Sequence, residues 1–202
     1  MISENIKKDL KNISAKEISG KTKLNLEDDQ LLEIVTKLRD LMPEWKWSLG
    51  MIYCYGLRPS EVFGANVNKE DKTCTVLGLK GEGDELNQRI AFTLDKSLVD
   101  IFDLNNIDRP WENNMSDKKY DAIYSKIKTD RMGKRLKRII KKENFPKFTL
   151  NMIRKSWAKR AIKSKFSSSD CAISMGYSIK EFHDKYLISV KKLDNAAMQE
   201  TN

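Results

Sequence analysis

The chain has 202 residues, of which 40% are hydrophobic and 33% are charged, and its formal net charge is +9. This balance fits one globular domain with, at most, a short arm, and it excludes a disordered or fibrous chain. No apolar run is long enough to span a membrane, and no signal core is visible, so we expect neither a membrane span nor secretion. Three widely spaced cysteines and the single histidine, His183, argue against a disulfide framework, zinc catalysis and histidine-based triads.

Positive charge is concentrated in one stretch of the chain. Residues 126–165 contain 16 Lys and Arg against Asp130 and Glu143, so this stretch carries +14 and leaves −5 for the rest. Apolar residues at helical spacing inside the stretch indicate that the charges are mounted on folded helices. The pattern predicts a localised face that binds a polyanion, although two solvated helix faces would give the same pattern.

The predicted elements begin after residues 1–25, which show no sustained period and which we interpret as an N-terminal arm or linker. Residues 26–41 predict a helix, because acids crowd the first turn and leucine, isoleucine and valine recur at helical spacing. A second helix is predicted from Pro43 to Gly56, since proline favours the first helical position and glycine the end. A short helix at residues 59–63 follows.

The next two runs, residues 73–79 and 88–94, are of β type and are joined by a polar connection that contains glycine, which predicts a hairpin. The remaining predicted elements are helices, at residues 94–104, 117–127, 133–142, 149–163, 169–175, 179–188 and 190–199. The expected fold class is therefore mainly α with a small antiparallel β-sheet, in one domain over residues 26–202.

Arg58 lies between two predicted helices in the string Gly-Leu-Arg-Pro-Ser-Glu, residues 56–61. At that elbow a guanidinium and free backbone N–H groups can bind one anion. Glu61 follows three residues later and can orient the guanidinium. The alternative is a surface Arg–Glu pair that contributes under about 1 kcal/mol.

Lys80 lies at the tip of the predicted hairpin, next to Gly81. A lysine on such a turn can swing into a groove and donate a proton, because its ammonium carries three donors on a flexible stem. A turn lysine that is merely solvated is the alternative.

The helix predicted at residues 149–163 carries polar side chains beside its apolar stripe. Asn151 and Arg154 lie three residues apart at the edge of the stripe, so both can face one site. Lys155 and Lys159 lie on the next face and suit backbone phosphates. The preceding basic helix adds candidate DNA-contacting residues, namely Lys134, Arg135, Lys137, Arg138 and Lys141.

Two tyrosines close the set of candidates. Tyr177 follows Gly176, and Tyr186 lies on an apolar stripe with Ile179 and Phe182. Taken alone, that spacing is typical of a core tyrosine. His183 shares the same face without a partner cluster, and we interpret it as structural.

In this order, the candidates resemble the catalytic domain of the tyrosine recombinases, the phage-integrase family, over roughly residues 26–195. Residues 56–61 are similar to the first box, G-L-R-x-x-E, and residues 151–154 to the H-x-L-R box. Lys80 falls in the hairpin where the family keeps its catalytic lysine. Gly176 and Tyr177, with Tyr186 nine residues later, look like the third box and the nucleophilic tyrosine. The second half looks particularly like cyanobacterial and cyanophage integrases.

The resemblance implies a site-specific DNA recombinase that cuts and rejoins DNA with neither metal nor ATP. Tyr186 would form a covalent 3′-phosphotyrosine, Arg58 and Arg154 would clamp the scissile phosphate, and Lys80 would protonate the departing 5′ oxygen. The implied partner is double-stranded DNA, bound by a protein that is monomeric in solution and tetrameric on DNA. The implied location is the cytoplasm of a bacterial host.

Three features depart from the family pattern. Asn151 and Lys155 stand where the family has histidines, Tyr177 replaces a histidine or tryptophan, and residues 1–25 are too short for the family's DNA-clamping domain. Asparagine cannot accept a proton from the nucleophile, so we expect slow cleavage. A non-enzymatic DNA-binding protein and a type IB topoisomerase are the alternatives. Residues 190–202 either form a tail helix that docks on a neighbouring protomer or pack on their own domain.

Overall fold

A computed structural model describes residues 28–77, 88–105 and 118–187 of the chain. Their architecture is mainly α-helical with one three-stranded antiparallel sheet, which confirms the predicted fold class. The predicted arm at residues 1–25, the hairpin tip with Lys80 and the predicted tail helix lie outside the described residues. Within the described part, no helix combines the length and apolar character that crossing a membrane would require.

The first helix, α1 (Asp28–Leu41), follows its predicted stripe. Leu31, Ile34, Val35 and Leu38 are buried, and the acids of the first turn lie at the end of the helix that favours negative charge. Helix α1 packs against the next helix, α2, described below. The prediction for this part of the chain is therefore confirmed.

Pro43 starts the second helical segment, as predicted, but the first turn is a 3₁₀-helix (Pro43–Trp45) that continues into α2 (Lys46–Tyr55). Helix α2 ends at Gly56, whose φ of 63° lies in the left-handed region. A Cβ atom on Gly56 would also lie 2.8 Å from Cδ2 of Trp157. Glycine is thus required here for both backbone conformation and close packing.

The short helix predicted at residues 59–63 is instead a 3₁₀-helix (Glu61–Gly64), because Pro59 is followed by a turn before helical bonding begins. A strand that was not predicted, β1 (Ala65–Val67), comes next. Three residues are too few to show the alternation by which strands are predicted. This end of the sheet was therefore missed.

The predicted hairpin strands are present but shorter than expected, as β2 (Cys74–Leu77) and β3 (Gln88–Ala91). The strand order is β1-β2-β3, and Val76 lies opposite Arg89 in the register of the second pair. Alternating side chains of one strand share a face, so Arg89 lies on the same side of β3 as the buried Ala91.

The helix predicted at residues 94–104 is limited to α3 (Ser97–Ile101). The Asp95 carboxylate accepts a hydrogen bond of 2.8 Å from the backbone N–H of Ser97. The backbone carbonyl of Asp95 accepts a hydrogen bond of 2.9 Å from the hydroxyl of Thr93. Such local side-chain bonds favour turns over helix, which delays the helix start.

One long helix, α4 (Lys118–Lys142), replaces the two that were predicted at 117–127 and 133–142. Gly133, which suggested the break, lies within the helix, and a Cβ atom there would meet no described atom within 4 Å. A glycine within a helix lowers the stability of that helix by only about 1 kcal/mol relative to alanine. Burial of Met132 and Leu136, on either side of Gly133, offsets this loss.

The last described helices are α5 (Leu150–Lys163), α6 (Ser168–Met175) and α7 (Ile179–Phe182). Where a single helix was predicted at 179–188, α7 passes into a π-helical turn (His183–Leu187). Apolar spacing does not reveal the wider i→i+5 bonding of such a turn. Ile179, expected on the buried stripe, is exposed, whereas Phe182 and Tyr186 are buried.

The core has two parts, and the smaller one lies beneath the candidate site. Trp157, Met175, Phe182 and Tyr186 belong to it, with small residues of α5 and α6 between them. The indole N–H of Trp157 donates to the carbonyl of Cys54 at 2.9 Å, which fixes α5 against α2. The ends of these helices are thereby held in fixed positions around one cluster of charged side chains.

Candidate active site

Arg58 follows the glycine end of α2, and its contacts reach far along the chain. Its backbone N–H donates to Oε2 of Glu61 at 2.8 Å, and its guanidinium pairs with Oε1 of the same carboxylate. Nη2 donates to the carbonyl oxygen of Gly176 at 2.9 Å. Because Glu61 is only 4% exposed, the pair is not the surface pair that the sequence left as an alternative.

Arg154 reaches the same carboxylate from the middle of α5. Nη1 lies 3.4 Å from Oε2 of Glu61, and Nη2 donates to the carbonyl oxygen of Met175 at 2.6 Å. The Arg154 residue is only 3% exposed. The two arginines singled out from sequence, Arg58 and Arg154, thus converge on one carboxylate and on neighbouring carbonyls.

A third arginine, Arg89 on β3, was not predicted from the sequence. Nη2 donates to Oε2 of Glu61 at 2.7 Å, and Nε donates to the carbonyl oxygen of Ser174 at 3.2 Å. A Cβ atom on Gly176, whose φ is 65°, would lie 3.0 Å from Cζ of Arg89. The signal that could have identified Arg89 is a charge on the same strand face as the apolar residue Ala91.

The three guanidiniums bind three consecutive backbone carbonyls at the C-terminal end of α6. Ser174, Met175 and Gly176 accept from Arg89, Arg154 and Arg58 respectively. The last carbonyls of a helix lack intrahelical donors and carry the negative end of the helix dipole. The end of α6 therefore fixes the positions of the three guanidiniums relative to one another.

The cluster is strongly positive, with three guanidiniums around the carboxylate of Glu61. Burial alone would raise the pKa of Glu61, but Arg89 and Arg58 outweigh it and lower the pKa. Burial lowers the pKa of Arg154, yet a guanidinium stays protonated in proteins. One negative charge against three positive charges leaves an excess that can bind an anion.

Tyr177 lies directly over this cluster. The Cζ atoms of Arg58 and Arg154 each lie 5.0 Å from the centre of its ring, and Nζ of Lys185 lies 4.2 Å from it. Burial by itself would raise the pKa of Tyr177, but a hydrogen bond with Tyr186 and the three cations lower it. The phenol of Tyr177 is thus directly exposed to the positive field.

Tyr186 lies in the π-helical turn and is 6% exposed. Its ring centre is 5.3 Å from that of Phe182 and 5.9 Å from that of Tyr177. Burial and the hydrogen bond to Tyr177 raise the pKa of Tyr186 to about 12, against the opposing effect of Arg154. The side chain therefore packs as a core tyrosine while its hydroxyl reaches the charged cluster.

Among the predicted site residues that the structure describes, Asn151 is not part of this cluster. Asn151 is exposed on the first turn of α5, and no hydrogen bond within the described ranges joins its side chain to Arg58 or Arg154. Lys80 lies outside the described residues. His183 is half-buried one turn before Tyr186. In the described part of the chain, no group of His, Cys, Asp and Glu is arranged to hold a metal ion.

The predicted basic face divides into exposed and anchored residues. The exposed ones are Lys134, Lys137, Arg138 and Lys141 on α4 and Lys155 on α5, while Lys159 is half-buried. Nε of Arg135 lies 3.5 Å from a carboxylate oxygen of Glu44, and Nη2 lies 3.5 Å from the carbonyl of Leu41. Arg135 is therefore held against the end of α1, unlike its exposed neighbours.

No protein-family model and no curated protein sequence matches this chain. Among solved structures, XerA recombinase is similar over 91% of this chain and 67% of its own length, with a TM-score of 0.60 and 14% identity. A second structure, the XerH site-specific recombinase bound to difH substrate in a pre-cleavage complex, covers 98% of this chain and 51% of its own, at a TM-score of 0.42 and 18% identity. The likeness to XerA recombinase shows that this chain has the same fold.

Proposed function

We propose that this protein is a site-specific tyrosine recombinase that cleaves and rejoins double-stranded DNA through a covalent bond to Tyr186. One observation carries the proposal: Arg58 and Arg154 share the buried carboxylate of Glu61, and the Tyr186 hydroxyl interacts with Arg154. A positive cluster beside a phenol is the arrangement that phosphoryl transfer to tyrosine requires. The fold shared with XerA recombinase supports the same proposal.

The arginines would bind the non-bridging oxygens of the scissile phosphate. A guanidinium presents donors in a planar fork that matches two phosphate oxygens, and it holds its charge at every working pH. The Arg58 side chain is 39% exposed, so a phosphate can approach from its side of the cluster. Arg154 and Arg58 would then stabilise the charge that develops on the phosphorus centre.

Tyr186 would attack phosphorus with its phenolic oxygen, and the bond between phosphorus and the 5′ oxygen would break. The DNA 3′ phosphate then stays joined to Tyr186, while Lys80 gives a proton to the released 5′ oxygen. Attack by a 5′ hydroxyl on the phosphotyrosine reverses each step and rejoins a strand. Asn151 would donate a hydrogen bond to a phosphate oxygen, Tyr177 would act beside the nucleophile, and Glu61 would orient the guanidiniums.

The exposed basic side chains of α4 and α5 would bind the DNA backbone next to the cleaved phosphate. Lys134, Lys137, Arg138 and Lys141 recur at three- and four-residue spacing and so share one side of α4. Helix α4 packs against the 3₁₀-helix that begins at Glu61, so the helix lies next to the segment that supplies the carboxylate of the cluster. Affinity supplied by such contacts falls steeply with salt.

The assembly that we propose follows the family to which the sequence is similar. Residues 26–202 would form the catalytic domain and residues 1–25 an arm. The protein would be monomeric in solution and tetrameric on DNA, with residues 190–202 exchanged between protomers or packed on their own domain. Its setting would be the cytoplasm of a bacterium that carries a phage-like mobile element.

A covalent-capture experiment tests the proposal and selects the target site in the same step. The protein is incubated with a library of nicked duplexes whose central sequence is randomised. Because of the nick, the short fragment released by cleavage diffuses away, the strand cannot be rejoined, and the adduct accumulates. Protein-linked DNA is isolated under denaturing conditions and sequenced. We expect adducts on a preferred sequence that disappear in Tyr186→Phe and persist in Tyr53→Phe, a buried tyrosine of α2 that serves as the matched control.

The other outcomes favour the alternatives. DNA binding without any adduct would contradict the proposal and support a non-enzymatic DNA-binding protein. Adducts without sequence preference, together with relaxation of a supercoiled plasmid, would support a type IB topoisomerase instead.

A further inference from the structure

We propose that the phenolate of Tyr177 takes the proton from the Tyr186 hydroxyl as Tyr186 attacks phosphorus. This inference rests on the proposed function and assigns to Tyr177 a role that differs from donating a hydrogen bond to the phosphate. A phenol with its ordinary pKa near 10 is a poor nucleophile until a neighbouring group removes its proton. A group in the cluster that accepts this proton would therefore speed the attack.

The positions of the two tyrosines favour direct transfer. Their ring centres lie 5.9 Å apart with an angle of 55° between the ring planes, and their hydroxyls share a hydrogen bond. That bond lowers the pKa of Tyr177 and raises the pKa of Tyr186. The two hydroxyls thus interact directly, as a proton transfer between them requires.

The charges around Tyr177 favour its ionised form. Arg58 approaches from the turn after α2, Arg154 from α5 and Lys185 from the π-helical turn, all within 5.0 Å of the ring centre. Arg89 lies behind Gly176 on the side of β3. Three cations on one phenol ring form an unusually strong positive environment, and each of them stabilises negative charge on the oxygen.

The nearby acids do not cancel this field. The carboxylate of Glu61 is occupied by three guanidiniums, and that of Glu181 accepts the backbone N–H of Ser178 at 2.9 Å in the cap of α7. The pKa of Tyr177 is lowered, so the cations outweigh these carboxylates. His183 lies three residues before Tyr186 in the same turn.

The other candidate acceptors suit the step less well. Asn151 carries an amide, which does not accept a proton at neutral pH. Glu61 holds three ion pairs that a proton would disrupt, and its pKa is lowered, so it is a weak base. Tyr177 combines a hydrogen bond to the nucleophile with three neighbouring cations that favour its ionised form.

Atoms and protons balance in this step. The Tyr186 oxygen forms a bond to phosphorus while its proton passes to the Tyr177 oxygen, and the bond to the 5′ oxygen breaks. The 5′ oxygen receives a different proton, from Lys80. In the reverse reaction Tyr177 returns its proton to Tyr186, so the group is regenerated in each cycle.

The first test needs no DNA and therefore does not depend on the proposed function. Tyrosinate formation is followed by ultraviolet absorbance and by NMR of tyrosine labelled at Cζ, in the native protein and in Tyr177→Phe. We expect one tyrosine to ionise before the other five, and this early titration to vanish in Tyr177→Phe and to move to higher pH in Tyr186→Phe, which removes the hydrogen bond that lowers the pKa of Tyr177. If Tyr177 ionises together with the ordinary tyrosines or after them, the inference is overturned.

The second test measures single-turnover formation of the covalent adduct against pH, on a suicide duplex recovered by covalent capture. The native rate should rise with pH and level off once Tyr177 is ionised. In Tyr177→Phe the rate at neutral pH should fall about 100-fold and keep rising with pH, since general-base catalysis contributes about 10²–10⁴. Tyr177→His should restore most of the rate and move the plateau towards the pKa of histidine, near 6.5.

Two controls separate this step from neighbouring effects. His183→Gln should leave the profile unchanged, and a profile that follows His183 instead would overturn the assignment to Tyr177. With sulfur in place of the bridging 5′ oxygen, the leaving group needs no proton. On this substrate, Lys80→Ala should reduce the rate of adduct formation less than it does on the normal duplex. Tyr177→Phe should reduce the rate as much as before. A Tyr177→Phe rate within threefold of native would overturn the inference, whereas a native protein that forms no adduct contradicts the proposed function itself.

Discussion

Nη2 of Arg89 donates a hydrogen bond of 2.7 Å to Oε2 of Glu61, and this contact joins the sheet to the turn that carries Arg58. The same carboxylate oxygen accepts the backbone N–H of Arg58 and lies 3.4 Å from Nη1 of Arg154. Segments that are distant in sequence are thereby held in one cluster. Glu61 acts as the common anchor, and Arg89 supports the cluster from the sheet.

Replacing Arg89 should impair cleavage more than DNA binding. Arg89→Met keeps much of the stem but removes one guanidinium from Glu61 and the donor to the Ser174 carbonyl, so Arg58 and Arg154 lose part of their common support. We expect the rate of adduct formation to fall at least tenfold, while affinity measured by fluorescence anisotropy changes less than threefold. Equal losses of affinity and rate would instead assign Arg89 to direct contact with DNA.

The ionisation of Glu61 should make the fold sensitive to acid. Its pKa is lowered in the folded state, so the stabilisation is complete above the ordinary value near 4.3 and is lost as pH falls through that value towards the folded pKa. Unfolding by urea, measured from about pH 6 to about pH 3, should show a fall in stability that is smaller in Glu61→Gln. Glu44→Gln, in an exposed pair with Arg135, is the control and should leave the slope unchanged. Identical slopes in all three proteins would contradict the role of Glu61.

Two glycines should respond in opposite ways to replacement by alanine. Gly56 has a left-handed φ, and its Cβ would lie 2.8 Å from Trp157, so Gly56→Ala should lower the free energy of unfolding by about 2–4 kcal/mol. Gly133 is helical with open space around it, so Gly133→Ala should raise the free energy of unfolding by up to about 1 kcal/mol. Denaturant titration gives both values, and a destabilising Gly133→Ala would contradict the continuous helix α4.

The exposed side of α4 should govern the salt dependence of DNA binding. Lys134→Gln combined with Lys141→Gln removes two phosphate contacts, so the slope of log affinity against log salt should become shallower by about 2. Lys69→Gln, at an exposed lysine between β1 and β2, removes one charge outside this side and should leave the slope as it is. A slope that responds equally to both changes would indicate that the whole surface, rather than α4, attracts DNA.

The sequence predicted the elements whose signals are local and strong. Helices α1, α2 and α5 carry regular apolar stripes with proline, glycine or threonine at their ends, and they form where expected. Gly133 suggested a break because glycine weakens a helix, but the buried side chains on both sides of it decide the outcome. Strand β1 is too short to give a periodic signal.

The site was predicted in part, for a similar reason. Arg58, Glu61 and Arg154 stood out because their motifs are compact in sequence, and they meet in the structure. Arg89 carries no motif, and its partner Glu61 is 28 residues away. The interaction of Tyr177 with Tyr186 depends on the π-helical turn, which no spacing in the sequence reveals. The proposed roles of Lys80 and Asn151 stay predictions.

We propose that the cluster around Glu61 activates phosphate for attack by Tyr186. The most direct measurement is mass spectrometry of proteolytic peptides from the adduct formed with a captured suicide duplex, which identifies the residue joined to the 3′ phosphate. We predict that the nucleotide is attached to Tyr186 and that the adduct is lost in Arg58→Ala and Arg154→Ala. Attachment to Tyr177 or to any other residue, or the absence of an adduct from a protein that binds the duplex, would contradict this account.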